Sequence, residues 1–366
     1  MSTKRPLRRT AALAAVAVVA LSACGNNAED SDSGSDGGSS GGGGSSASGD
    51  QPDVNGDGDV KIGVLSPGDL NDNGYYESFV AKAQEFVDGQ DGWELIKVGS
   101  INPADALEQA RNMCRQGVDM VALAASELAD ALPAAEEDVC ANTIWYLPSQ
   151  TEGYELADNV VLSQDSASES LLAAGYAMGL LMEQSGTTTA GMVSGPELDF
   201  SIIAAEAYRA GLRQVLPDAE LVVTFTGDFD DSGLAVEATQ AQIGQGVGSL
   251  YPYLGGATDA SAQLGFDAGI PVATPGTDRC GEDTFAISVI FDPGEYFAAA
   301  LEDFANGELE GGSTRVWEMG VDPLPTVEFC DASGATPEQE QQLADFIASV
   351  GDGTIDPDAE VERLGS

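Results

Sequence analysis

The sequence predicts an α/β protein built as two doubly wound lobes of parallel sheet. Three observations predict it. Short apolar runs alternate with helical segments, the alternation comes in two similar runs, and the region carrying it, about residues 60–350, is long enough for two lobes of ordinary size. Alternation of this kind implies right-handed crossovers and helices on both faces of each sheet. Ligands of such sheets bind beyond the carboxyl ends of the strands, so the loops there are where function should lie.

The elements follow in order. Val60–Leu65 reads as a buried strand, followed by a Gly/Asp/Asn loop and a helix over Tyr75–Val87. A strand at Leu95–Val98 precedes Asn102-Pro103-Ala104-Asp105, a helix start with an Asn cap, Pro at the first helical position and an acid in the first turn. Strand Met120–Ala124, helix Leu128–Val139 and strand Thr143–Leu147 complete the first run. The second run opens with a helix at Ala167–Glu183 and strand Ala190–Val193. Helix Ile202–Val215 then leads to strand Leu221–Phe225, and helix Leu234–Ile243 to strand Ser249–Tyr253. Helix Ala260–Ala268, strands Val272–Thr274 and Phe285–Ile290 and helix Pro293–Phe304 come next. Thr336-Pro337-Glu338-Gln339 begins a last helix with a Thr-x-x-Gln capping box.

The ends of the chain read differently. Lys4, Arg5, Arg8 and Arg9 precede an apolar run from Ala11 to Leu21, too short to span a bilayer and flanked as an export signal is. Asn26 to Asp59 is almost entirely Gly, Ser, Asp and Asn, which cannot bury enough apolar area to offset its ordering entropy, so it reads as a flexible spacer. The domain plan is therefore signal 1–24, disordered spacer 25–59, first lobe 60–163 completed by a helix at 293–306, second lobe with hinge crossings 164–350, and acidic tail 351–366.

Charge and cysteine usage exclude whole classes. The net charge of −47 repels nucleic acid and anionic lipid headgroups. The absence of histidine removes Ser-His-Asp and Cys-His hydrolases and His-ligated metal sites. Besides Cys24, the chain has Cys114, Cys140, Cys280 and Cys330, which in an exported protein suggest two disulfides with three possible pairings. Cys114 and Cys140 would end successive helices on one sheet face, which favours that bridge and leaves Cys280 with Cys330. The spacing fits no zinc ribbon, and neither metal nor cofactor is expected.

Two strand-end loops pair acids with an aromatic near a helix start: Ser66 to Tyr76, and Thr226-Gly227-Asp228-Phe229-Asp230-Asp231. Asp72 and Asp231 could serve only as caps. An aromatic beside such a cap in both halves points further, to two rings that sandwich a flat ligand while nearby carboxylates and amides take its hydroxyls. A third loop, Tyr253 to Thr258, carries Gly255 and Gly256, whose backbone could approach a ligand closely. A fourth is Pro275-Gly276-Thr277-Asp278.

These stretches resemble the basic membrane lipoprotein (PnrA-like) family of ABC-transporter solute-binding proteins. The likeness is carried by Lys61-Ile62-Gly63-Val64 through Asp72-Asn73-Gly74-Tyr75-Tyr76-Glu77-Ser78, by Gln116-Gly117-Val118-Asp119, by Leu216-Pro217-Asp218 through Gly227-Asp228-Phe229-Asp230-Asp231, and by Tyr251-Pro252 to Gly255-Gly256. It implies a type I periplasmic-binding-protein fold, two doubly wound parallel-sheet lobes joined by a hinge that close on a solute, often a purine nucleoside. On this likeness Tyr75 and Phe229 match the stacking aromatics, Gly255 and Gly256 the backbone contacts, Asp278 a hydroxyl acceptor, and Ser126 the cleft rim. Ser66 stands where the family often has an acid, and joins Asp72 as a candidate contact. No lysine follows Ser288-Val289-Ile290, where nucleoside-binding members tend to carry one; Phe291 stands there, as core or as a third ring. Leu21-Ser22-Ala23-Cys24 resembles a lipobox, which makes Cys24 the lipidated residue and places the protein on the extracytoplasmic face of the cell membrane. The implied partners are a small-molecule solute, an ABC permease with its ATPase, and the membrane through the lipid anchor.

Two rival readings have sequence support. Asp69, Asp72, Asp228, Asp230 and Asp231 could surround a divalent metal in a nucleoside hydrolase, although no single loop has dense carboxylate spacing. A ligand-sensing ectodomain uncoupled from transport would share every feature above. Asp53-Val54-Asn55-Gly56-Asp57-Gly58 imitates a calcium loop but has Val64 where the bidentate Glu belongs.

Overall fold

The structure, a computed structural model, describes residues 52–149 and 156–365. The expected export signal, the lipidation site at Cys24 and most of the expected spacer lie outside the described residues. Within them, strand and helix alternate through β1 (Val60–Leu65), α1 (Tyr75–Asp88), β2 (Trp93–Val98), α2 (Ala106–Arg115), β3 (Met120–Leu123), β4 (Ile144–Ser149) and β5 (Val160–Gln164). The second run comprises α3 (Ala167–Ser185), β6 (Thr189–Ser194), α4 (Asp199–Val215), β7 (Glu220–Phe225), α5 (Ser232–Gln245), β8 (Leu250–Tyr253), α6 (Thr258–Asp267), β9 (Ala273–Gly276) and β10 (Ile287–Ile290). After it come α7 (Pro293–Ala305), β11 (Thr314–Val316), β12 (Thr326–Phe329), α8 (Pro337–Gly351) and α9 (Pro357–Leu364).

The first half is one six-stranded sheet in the order β2-β1-β3-β4-β5-β11, parallel throughout. Its inner strands are apolar along their length because helices cover both faces. The second half has the parallel triplet β7-β6-β8, then β9 parallel to β10 and β12 antiparallel to β10; a bridge from Leu250 to Val272 joins the two sets. The chain therefore crosses between the halves three times, after β5, β10 and β11. Helix α7 follows the second crossing and stacks Phe297 on Phe79 of α1, 4.4 Å between ring centroids.

Local chemistry sets the element ends. Ser166, Asp231 and Asp292 cap α3, α5 and α7 through their side chains, and the Thr336–Gln339 capping box closes the start of α8. Helices α3 and α4 cross where two glycines meet: a Cβ on Gly175 would lie 2.1 Å from the Tyr208 carbonyl, and one on Gly211 2.1 Å from that of Leu172. Only glycine fits there.

Three expectations need revision. The helix expected at Leu128–Val139 is a 3-10 segment, Ser126–Glu136, because Pro133 lacks the N–H of an α-turn and its ring crowds the carbonyl one turn back. Residues 52–59, expected within the flexible spacer, are pinned to the first half: Asn55 donates to the Gly117 carbonyl at 2.8 Å, and Asp119 accepts the N–H of both Asn55 and Lys61. Asp53 there caps a turn through the N–H groups of Gly56, Asp57 and Gly58. The expected acidic tail contains α9, docked on α4 by Arg213, which donates to the Leu364 carbonyl at 2.7 Å. Two disulfides form, Cys114–Cys140 and Cys280–Cys330, with Cα separations of 5.2 and 4.7 Å.

Candidate functional site

A cavity opens between the halves, with about 650 Å³ of unfilled space including its mouth. Its wall is made at strand ends. Tyr75 and Tyr76 open α1 beyond β1; Ala125, Ser126 and Glu127 follow β3; Pro148 and Ser149 end β4. From the second half, Phe200 lies in the first turn of α4 and Phe229 beyond β7. Tyr253 to Gly255 follow β8, Pro275 and Gly276 end β9, and Phe291 follows β10. All sit at the carboxyl side of parallel strands, where the twist of a doubly wound sheet leaves a crevice.

The rings hold one another in place. Phe229 and Phe200 are near-parallel, 6.1 Å between centroids, and Phe200 meets Tyr253 edge-on at 6.4 Å. Tyr253 in turn meets Phe291 edge-on at 6.4 Å, and Tyr75 meets Tyr76 at 5.5 Å. Gly195 makes room for one of them, since a Cβ there would fall 2.4 Å from the Phe229 ring; Gly276, beside Tyr75 and Phe291, is favoured instead by its φ of +87°. Burial keeps the Tyr75 hydroxyl well above its ordinary pKa, so it stays a neutral donor.

Glu127 brings the wall its charge. Burial raises its carboxyl, and hydrogen bonds, including one donated by the Tyr76 hydroxyl at 3.3 Å, partly offset this. Outside the wall, acids of the two halves approach each other. Asp72 accepts the N–H groups of Gly74, Tyr76 and Glu77, and Asp230 accepts that of Gly256 at 2.7 Å. Burial raises both carboxyls; Asp230 raises Asp72 further, and Asp228 and Asp69 raise Asp230. The halves also touch through Asn73, which donates to Asp259 at 3.2 Å.

Of the residues singled out by sequence, Tyr75, Ser126, Phe229 and Gly255 lie on this wall. Ser66, Asp72, Gly256 and Asp278 do not. Ser66 is buried and bonds Gly68 through its hydroxyl, and Asp278 is exposed and accepts the Cys280 N–H at 2.9 Å. Asp72 spends its carboxylate on its own loop and helix start, and Gly256 its N–H on Asp230. Sequence reasoning missed Tyr76, Glu127 and Phe200 as wall residues. Phe200 had a usable signal, an aromatic at a strand-to-helix junction like Tyr75 and Phe229. Phe291 resolves as a wall ring. Among the described residues, no group of three or more acids or cysteines is arranged to hold a metal ion, and no helix is long and apolar enough to cross a membrane.

A family profile described as ABC transporter substrate-binding protein PnrA-like matches residues 59–332. No curated protein matches the chain. Among solved structures, an ABC transporter solute-binding protein from Conexibacter woesei is similar at 19% identity and TM-score 0.63, covering 81% of this chain and 98% of that one. Another from Aeropyrum pernix is similar at 18% identity and TM-score 0.65, covering 84% and 90%. A transcriptional activator of the comK gene from Bacillus halodurans shares the fold at 16% identity and TM-score 0.62, covering 81% and 99%.

Proposed function

We propose, from the premise that this chain belongs to the PnrA-like family of ABC transporter substrate-binding proteins, that its cavity takes a small planar polar solute, a nucleoside, for delivery to a membrane importer. The observation that carries this reading is that Tyr75 of the first half and Phe229 of the second line one cavity. A flat ring between them would gain on the order of 1–3 kcal/mol per stacked face. Micromolar affinity needs about −8 kcal/mol, and two such faces could contribute about 2–6 kcal/mol of the gross interaction, with hydrogen bonds adding to it before ordering costs. Ser126, Ser149 and the Gly255 backbone are polar groups of the wall for ribose hydroxyls to meet, with the Tyr75 hydroxyl a further donor. In this reading Cys24 carries the lipid that holds the protein on the extracytoplasmic face, and an ABC permease with its ATPase receives the solute.

Calorimetric titration of the purified protein with purine and pyrimidine nucleosides, nucleobases and sugars tests the proposal. A nucleoside bound at micromolar affinity or better supports it; stabilisation by sugars alone, or by nothing in the panel, refutes it. A second reading keeps the same cleft but has it sense a solute without transport, since a protein of this fold from Bacillus halodurans is described as a transcriptional activator. Co-purification of a permease separates the two.

A further inference from the structure

We propose that the solute of this cavity is a planar heterocycle bearing a positive charge, recognised by a cage of aromatic rings together with the Glu127 carboxylate. The proposal rests on the reading above that the cavity is the solute site, and goes further by assigning the charge of the solute.

Three observations carry it. Six rings line the cavity: Tyr75, Tyr76, Phe200, Phe229, Tyr253 and Phe291. Four of them, Phe229, Phe200, Tyr253 and Phe291, form a continuous chain of ring contacts. Aromatic faces carry negative quadrupole density, and desolvated cations gain most from it. A neutral heterocycle would use the same faces for stacking alone.

The second observation is the charge on the wall. Among the described residues of the wall Glu127 alone carries a carboxylate, and none is basic. Histidine is absent from the chain, and residues 150–155, next to the wall residue Ser149, contain neither Lys nor Arg. Arg279, in the second half, is engaged with Asp259 and Glu282, both at 2.7 Å, and lies over the Phe285 ring. A neutral solute would meet Glu127 with hydrogen bonds alone and an anion would meet repulsion, whereas a cation would add the counter-charge that no described wall residue supplies.

Thirdly, the surroundings are acidic on several sides. Asp230 acts on Glu127 and Tyr76 from the second half, and Asp165, buried at the first crossing, acts on Tyr75 and Tyr253. These acids add to the negative charge that Glu127 brings to the wall.

The test compares pairs that differ by one ring N-methyl group and the charge it brings: ring-N-methylated nicotinamide against nicotinamide, and ring-N-methylated adenosine against adenosine, each titrated into the purified protein by calorimetry. At least one cation should bind about tenfold or more tightly than its neutral partner. Glu127→Gln should bring that ratio toward one, and Glu127→Asp should keep part of it. Melting curves of both variants report whether they fold; if Glu127→Gln does not, the wild-type ratio decides alone. Neutral nucleosides that bind as well as or better than their methylated cations would overturn this proposal and leave the nucleoside reading standing. No binding by any member of either pair, nor by other nucleosides, would overturn both.

Discussion

Replacing Phe229 by alanine removes one wall of the proposed sandwich. The ring lies near-parallel to Phe200 at 6.1 Å and against the Gly195 backbone, so its position is set by neighbours that the substitution leaves intact. One stacked face lost costs about 1–3 kcal/mol, which is about a five- to 150-fold rise in Kd. Tyr75→Ala removes the other wall, at the N-terminus of α1, and should cost a similar amount. Because both rings are proposed to press on one solute, they share a partner, so the double variant measures their coupling: a loss different from the sum of the single losses marks a joint sandwich. Tyr75→Phe keeps the ring and loses only the hydroxyl, which separates stacking from hydrogen bonding. The assay is calorimetric titration with the tightest solute found, with thermal denaturation alongside to confirm folding. If folded Phe229→Ala and Tyr75→Ala both bind within about twofold of the unaltered protein, stacking between the halves is refuted.

Other substitutions probe the frame and the mouth. Gly211→Ala forces a Cβ against the Leu172 carbonyl, backbone that cannot swing away, and should lower unfolding free energy by about 3 kcal/mol in urea titration; an unchanged midpoint would contradict the close crossing of α3 and α4. Replacing Cys280 and Cys330 by serine opens a loop whose ends are 50 residues apart, with an expected loss of about 4 kcal/mol measured the same way. Asp230→Asn keeps an acceptor for the Gly256 N–H and removes a charge facing Asp72. Because burial and neighbouring acids raise the Asp230 carboxyl, its protonation favours the native form; that contribution is full below the unfolded value near 4 and lost as pH rises through the higher native one. The variant should therefore melt higher than the parent at pH 7, with the difference shrinking toward pH 4; an equal difference at both pH values would argue against it.

The alternation of apolar runs and caps was enough to read the α/β architecture, because parallel strands buried on both faces leave continuous apolar stretches such as Met120–Leu123. The Asn102 and Thr336 helix starts were readable for a similar reason, since capping is chemistry within a few residues. What escaped the sequence depends on distant partners. Whether an Asp at a strand end reaches into a cleft or turns back on its own loop is decided by geometry. Asp72 and Asp278 turn back onto backbone N–H groups. Nothing local marks Glu127, just ahead of the helix expected from Leu128, and only the approach of Tyr76, far away in sequence, reveals it as a wall group. The docking of α9 likewise depends on Arg213, well upstream of it.

A crystal structure of the protein with its tightest-binding solute tests the central claim most directly. The expected density is a planar ring held between Tyr75 and Phe229, with a polar group toward Ser126 or Glu127. A solute bound elsewhere on the molecule, or within the cavity but touching one half alone, would contradict it.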